Sequence, residues 1–248
     1  MRSVVVGWKL RIGVMHLEER TVGSRVDREP GGDGCGAVVD GRGRSVSTAI
    51  LYEVARAMRV LAPGSVVKVR TDVRPAVDSD VRAWCRTKGH QLVEVDENAG
   101  AREYAVRKAA EVRVQPGWAV VISNAGLEEL LSPLGFALAA ALAGSPVSIY
   151  FQGPAVRVLT RSFSERLPGW KRPFSGFARR GLDRAGHPPP HVKLRQLEEL
   201  GARIYICGPS MDHFRVRAED LFLADVRIAA YPSFVEEMNG AGVQVFLQ

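Results

Sequence analysis

Hydrophobic and polar positions along this chain follow two different periods, and each change of period marks a new element. Residues 66 to 71 alternate with period two. Val67, Val69 and Thr71 share one face and Lys68 and Arg70 the other, as a half-buried strand requires. Upstream, Leu51, Val54, Ala55, Met58 and Leu61 recur at helical spacing, which predicts a helix from Ala49 to Leu61 capped by Ser47 or Thr48. Pro63-Gly64 ends that helix. Ala37 to Asp40 reads as a short strand. A second helix opens at Asp78, runs through Val81, Trp84 and Cys85, and stops at Gly89. Gln91 to Asp96 and Arg102 to Lys108 form a strand pair. The order βαβαββ predicts a two-layer sandwich with helices on one face of the sheet.

After Gln115-Pro116-Gly117 the pattern changes. Trp118 to Ser123 is a nearly unbroken apolar run, as in a strand covered on both faces. A helix over Leu127 to Ala143 and a strand over Val147 to Phe151 follow. Helix Val192 to Leu200, strand Ala202 to Ile206, strand Val226 to Ala230, a helix from Ser233 and strand Gly242 to Leu247 complete the pattern. This alternation predicts a three-layer α/β/α domain with a mainly parallel sheet. The expected class is α/β, with domains at 37–112 and 113–248. A leader at 1–36 precedes them, and its Gly31-Gly32-Asp33-Gly34 run reads as flexible.

Composition narrows the function classes. The 248 residues are 46% hydrophobic and 25% charged, ordinary for a globular protein that buries a sizeable core. Three cysteines without a C-x-x-C pair or metal-ligand spacing argue against a disulfide framework or a zinc site. No metal and no cofactor are expected, and reduced thiols fit the cytoplasm. The uncharged stretch Leu130 to Phe151 is broken by Pro133, Gly135, Gly144, Ser145 and Pro146. It reads as a buried helix and strand, with membrane association the minority reading. The net charge is +7, and residues 155 to 195 hold ten Lys/Arg against two acids. A solvated basic surface is the simpler reading, so a nucleic-acid partner is not expected, although Phe163, Trp170, Phe174 and Phe177 lie among those charges.

In open α/β sheets the ligand crevice lies beyond the carboxyl ends of the strands. Three loops meet that description: Ser123-Asn124-Ala125-Gly126, Phe151-Gln152-Gly153-Pro154 and Cys207-Gly208-Pro209-Ser210. The third carries a thiol. Gly208-Pro209 turns the chain, Ser210 can cap the helical turn Met211 to Phe214, and the amino end of a helix favours thiolate over thiol. The competing reading is a small buried hydrophobe at a strand end. Asn124, Gln152, Gly208, Ser210 and His213 are the candidates to line this crevice, with His213 as base, proton donor or solvent-facing residue. Cys85 reads as core packing. Cys35 reads as incidental, or as a resolving thiol. His90 reads as a cap or surface residue, and His187 and His191 flank a Pro188-Pro189-Pro190 loop.

Both halves resemble known families. Val39-Asp40 with Arg42-Gly43, the helix ending at Pro63-Gly64, Asp80 to Cys85, Gly89-His90-Gln91-Leu92 and Tyr104 to Lys108 resemble the TusA family of small sulfur carriers. That family carries sulfur on the cysteine of a Cys-Pro pair at the start of the first helix. Counting back from Pro63-Gly64 without a gap puts the pair at Ser47-Thr48, a degenerate carrier site; a one-residue gap puts it at Val46-Ser47. Neither supplies a thiol. Val120 to Ser123, Val147 to Phe151, Gly201 to Cys207, Ser210-Met211-Asp212, Glu219-Asp220-Leu221 and Tyr231 to Phe234 resemble the DsrE/DsrF-like family. There the cysteine before the Ser-Met-Asp element is the proposed sulfur-binding residue, and Cys207 matches it.

The resemblance implies a sulfur-relay protein, a sulfurtransferase or sulfur carrier. It would bind and transfer sulfane sulfur as a persulfide on Cys207, with sulfur donor and acceptor proteins as partners and a homo-oligomer as its assembly. The alternative is a non-catalytic scaffold or regulatory binding protein of a sulfur-metabolism complex.

Overall fold

The computed structural model describes residues 26–27, 35–110, 115–164, 175–184 and 186–247. The Gly31–Gly34 run and the basic or aromatic positions Arg166, Trp170, Lys171, Arg172 and Phe174 lie outside the described residues, as does the side chain of Cys35.

The first sheet has the order β1 (Val26–Asp27), β2 (Cys35–Asp40), β3 (Val66–Asp72), β5 (Ala101–Arg107), β4 (Gln91–Asn98). Two stretches read from the sequence as leader thus lie in strands: β1, which pairs antiparallel with β2, and the start of β2 at Cys35. Helix α1 (Ser47–Arg59) carries the chain from β2 to the parallel neighbour β3. Helix α2 (Pro75–Lys88) starts three residues before the expected Asp78, because Pro75 fits the first helical turn, where no N–H is needed. Strands β4 and β5 form a hairpin across Ala99-Gly100. Both residues have positive φ, 51° and 79°, the handedness a two-residue turn needs to match the strand twist.

Ser47 is not the cap of α1. The N-cap is Val46, which has no capping side chain, and Ser47 is the first helical residue with its hydroxyl bonded to Asp80. A carboxylate near the amino end of a helix partly serves the role a cap would have.

The second sheet is wholly parallel, in the order β10 (Val243–Leu247), β6 (Trp118–Ile122), β7 (Val147–Phe151), β8 (Arg203–Cys207), β9 (Val226–Ala229). From β6 to β9 each strand is added on the same side. Right-handed crossovers therefore place α3 (Leu127–Ala143), α5 (Pro190–Glu199) and α6 (Gly208–Phe214) on one face. The last crossover, through α7 (Tyr231–Asn239), runs back across the sheet to β10 beside β6, so α7 lies on the other face. The basic stretch contributes a 3-10 segment over Gly153–Leu159 and helix α4 (Ser175–Arg184), neither of which the apolar pattern announced.

Helix α3 joins the two domains. Leu130, Leu134 and Leu138 are fully buried, and the helix packs on β6 and β7 as well as on α1 and α2. Being apolar nearly all round, it needs cover on both sides. Trp84 Nε1 donates to the Leu142 carbonyl at 2.8 Å, and Arg59 Nη2 donates to the Glu199 carbonyl at 3.2 Å. The Tyr52 hydroxyl donates to the Glu199 carboxylate. One hydrophobic core runs through both domains. Among the described residues no helix is long and apolar enough to cross a membrane, and no cluster of metal-ligating side chains is present.

His90 is 9% exposed rather than a surface residue. Its ring meets Trp84 edge-on at 4.9 Å, and its Nδ1 accepts the Ala109 N–H at 3.1 Å. Burial, with the nearby Lys88 and Lys108 charges, pushes its pKa down from 6.5 to about 4. The unfolded chain therefore binds a proton at a higher pH than the folded one. Stability should fall as pH drops from about 6.5 towards 4, by on the order of 2 kcal/mol after allowance for solvent at the ring edge. Urea unfolding across that window should show the slope, and His90→Asn, which keeps an acceptor for Ala109, should flatten it. Trp84→Phe removes the donor to Leu142 and leaves a buried carbonyl unpaired. Its unfolding free energy should drop by about 1–3 kcal/mol; an unchanged denaturation midpoint would show that this bond does not stabilise the joint.

Candidate functional site

Strand β8 delivers Cys207 to the carboxyl edge of the second sheet. The residues behind it, Ile204, Tyr205 and Ile206, are buried, so the strand cannot slip register without exposing them. Past Cys207 the chain turns into α6 on one face. Past Ala229, the in-register partner of Cys207 on β9, it turns into α7 on the opposite face. Adjacent connections leaving towards opposite faces mark the usual place for a ligand in this architecture. Cys207 stands at that fork.

The thiol is covered. Cys207 is 1% exposed and serves as the N-cap residue of α6, whose Met211 is buried close by in sequence. Its side chain projects from the face that also carries Tyr205 and Tyr150, since Tyr150 pairs with Tyr205 and Cys207 lies two residues farther on. The Tyr150 ring stacks on Phe234 of α7 at 4.8 Å and 18°, and meets Tyr231 edge-on at 6.2 Å. The Tyr150 hydroxyl donates to the Ala229 carbonyl at 3.5 Å, and burial first, then the neighbouring Cys207 thiol, pushes its titration well above the ordinary phenol range.

The other residues expected at the crevice divide into two groups. Gln152 Nε2 donates to Ser123 Oγ, and the Gly153 N–H donates to Ser210 Oγ, both at 3.0 Å. These bonds tie together the loops after β6 and β7 and helix α6. Ser210 thus braces the Gly153 loop and is not the cap of α6, which begins two residues earlier, at Gly208. Gly208 has Ile228 of β9 against it, where an added Cβ would sit 3.5 Å from the Ile228 side chain. Asn124 is half-buried in the loop after β6. His213 points to solvent and lies edge-on to Phe214 at 4.8 Å. Tyr150 and Tyr231 were not among the site candidates read from the sequence, and Ser123 was named only as part of its loop. Their relation to Cys207 depends on strand register, and no local motif signals it.

A second thiol is inert by placement. Cys85 is 2% exposed on α2, and burial pushes its pKa up to about 11. The Ser47-Thr48 end of α1 opens on a cavity of about 210 Å³ between the domains. Leu51, Asp80, Trp84 and Thr87 line it from the first domain, and Ala139, Leu142 and Ala143 from α3. The end of α1 that carries Ser47 therefore faces α3 across this cavity. The basic stretch is partly used internally: Arg157 lies over the Phe214 ring at 4.8 Å, Arg195 over Phe222 at 5.9 Å, and the buried Lys193 donates to the Leu131 carbonyl at 3.2 Å.

Comparison with known proteins gives two family matches along the chain. The DsrE/DsrF-like family matches residues 118–245, and Sulfurtransferase TusA matches residues 51–108. Sulfur carrier protein TusA from Pseudomonas paraeruginosa strain PA7 is 36% identical over 76 residues, which are 30% of this chain and 92% of that protein. The TusA proteins of Pseudomonas aeruginosa strains LESB58 and PAO1 match to the same extent. The crystal structure of the ychN protein from E. coli aligns over 54% of this chain and 100% of its own, at 15% identity and a TM-score of 0.42. The chain belongs to the DsrE/DsrF-like family and carries a TusA-family domain fused ahead of it, a pairing that indicates a role in sulfur relay.

Proposed function

We propose that this protein carries sulfane sulfur as a persulfide on Cys207 and passes it between protein partners. The observation behind this reading is the place of Cys207 at the fork between β8 and β9 in the DsrE/DsrF-like domain. In the step envisaged, the Cys207 thiolate attacks the outer sulfur of a donor persulfide. The new S–S bond forms at Cys207, the donor's own S–S bond breaks, and the electron pair leaves with the donor thiolate. Delivery is the same exchange in reverse with an acceptor thiolate. Ser47 cannot take part, because a hydroxyl forms no persulfide, so the first domain acts in this reading as a fixed partner of the second. The reduced thiol chemistry fits a cytoplasmic setting.

The half-covered sheet face favours self-association. Parallel sheets are normally covered on both faces, and here α7 is the single helix on its side among the described residues. Phe246 shares that face and is 61% exposed, with Tyr231 and Val235 exposed on α7. In this reading copies of the chain bury these residues against one another.

A second reading has its own support. Cys207 is 1% exposed, and a thiol so covered reacts only when its surroundings open. A scaffold that binds sulfur-metabolism partners without chemistry would need no such opening.

Incubation with a persulfide donor should add one sulfur atom, about 32 Da, to the Cys207 peptide by mass spectrometry, and Cys207→Ser should lose the adduct. No adduct on the wild type, with partners captured equally by wild type and Cys207→Ser, would establish the scaffold reading instead. Light scattering should give a mass above the 27.1 kDa monomer, and Phe246→Glu should reduce it. A monomeric wild type would end the self-association proposal.

A further inference from the structure

We propose that Tyr150 is the positioning residue for the Cys207 sulfur, which it holds by a hydrogen bond from its phenolic O–H beneath a cover of Phe234 and Tyr231. This rests on the reading of Cys207 as the reactive thiol.

Three observations support it. The first is reach. Tyr150 pairs with Tyr205, and Cys207 is the next residue on the same face of the adjoining strand. Diagonal neighbours of this kind have Cβ atoms roughly 7 Å apart, a span that an aromatic side chain leaning along its strand can bridge. The second is the destination of the proton. The Tyr150 hydroxyl lies 3.5 Å from the Ala229 carbonyl, at the outer limit for a hydrogen bond between oxygens. Ala229 is the pairing partner of Cys207, so the hydroxyl lies level with Cys207 and on the face that carries its side chain, where the sulfur is a second acceptor. The titration of Tyr150, raised first by burial and then by the neighbouring Cys207 thiol, agrees.

The third is that other polar groups of this face are engaged elsewhere. The Tyr205 hydroxyl donates to Glu237 at 2.6 Å, and Ser148 Oγ donates to the same carboxylate at 3.0 Å. Arg203 pairs with Glu237 at 2.7 Å, and Arg227 donates to the Tyr205 hydroxyl at 3.3 Å. Tyr231 stands outside the pair, 61% exposed at the start of α7. His213 of α6 faces solvent. Tyr150 is thus the donor that a charged sulfur at position 207 would meet. The bond favours the anionic form of thiol or persulfide and fixes the direction in which its lone pairs point.

The test is the rate of Cys207 alkylation by iodoacetamide, followed by peptide mass spectrometry across a pH series, a readout that needs no sulfur donor. Tyr150→Phe should move the rate profile to higher pH by about one unit, with little change in the limiting rate at high pH. Tyr150→3-fluorotyrosine, nearly the same size and a stronger donor, should move it to lower pH and keeps the test open if the phenylalanine variant folds poorly. A profile that stays in place in both variants would overturn the proposal. So would a rate raised equally at every pH, because that is the mark of loosened packing. If the profile moves but the wild type takes up no sulfane sulfur, the carrier reading falls and the Tyr150 assignment stands. If the wild type takes up sulfur and the profile does not move, the carrier reading stands and the Tyr150 assignment falls.

Discussion

Beyond its first turn, helix α3 has no charged residue to offer to water, and much of the architecture follows from covering it. One side lies on β6 and β7, as any crossover helix must. The other side would remain exposed if the second domain stood alone. Helices α1 and α2 of the first domain supply that cover, and Trp84 fixes the arrangement by satisfying the Leu142 carbonyl. The apolar seam and the polar tie support each other. A buried carbonyl without a donor is costly, and an indole N–H without an acceptor is equally so. Fusing the two domains in one chain raises their effective concentration for each other, so a seam of modest area suffices to hold them together.

The same seam decides which surfaces remain for partners. The first domain turns both helices towards α3, so the end of α1 bearing Ser47 faces the second domain across a cavity. Cys207 lies elsewhere, at the carboxyl edge of the second sheet, where the connections from β8 and β9 part. Strand direction and crossover handedness place it there. Reversing one crossover would put α7 and α6 on the same face and close the fork.

Much of this was legible in the residues. Periodic patterns and short apolar runs gave the strands of both sheets except β1, and helices α1, α2, α3, α5 and α7, because those elements bury a regular face or both faces. Helix starts were read less well. Pro75 opens α2 and Tyr231-Pro232 opens α7, ahead of the apolar positions that suggested them, because proline at a first turn carries no periodic signal. The 3-10 segment at Gly153–Leu159 and helix α4 lie in basic sequence with little apolar periodicity. At the candidate site, strand position made Cys207 a candidate thiol and left a small buried hydrophobe as the competing reading. The role of Ser210 as a brace and the nearness of Tyr150 could not be read, since each depends on which strands become neighbours.

Physical chemistry also separates the two places where sulfur could have been held. At the amino end of α1 the helix favours negative charge, but Asp80 already supplies it through its bond with Ser47. An anionic sulfur there would face a carboxylate and be disfavoured by like charge. At Cys207 the neighbour on the same face is the Tyr150 phenol, stacked on Phe234, and among the described residues no carboxylate is bonded to its hydroxyl. Persulfides are reactive, and a site that shields the sulfur while stabilising its charge would limit loss to solvent between acceptance and delivery. On the proposed reading, the thiol resides in the domain that can meet both requirements, and the domain without a thiol keeps the structural task of covering α3.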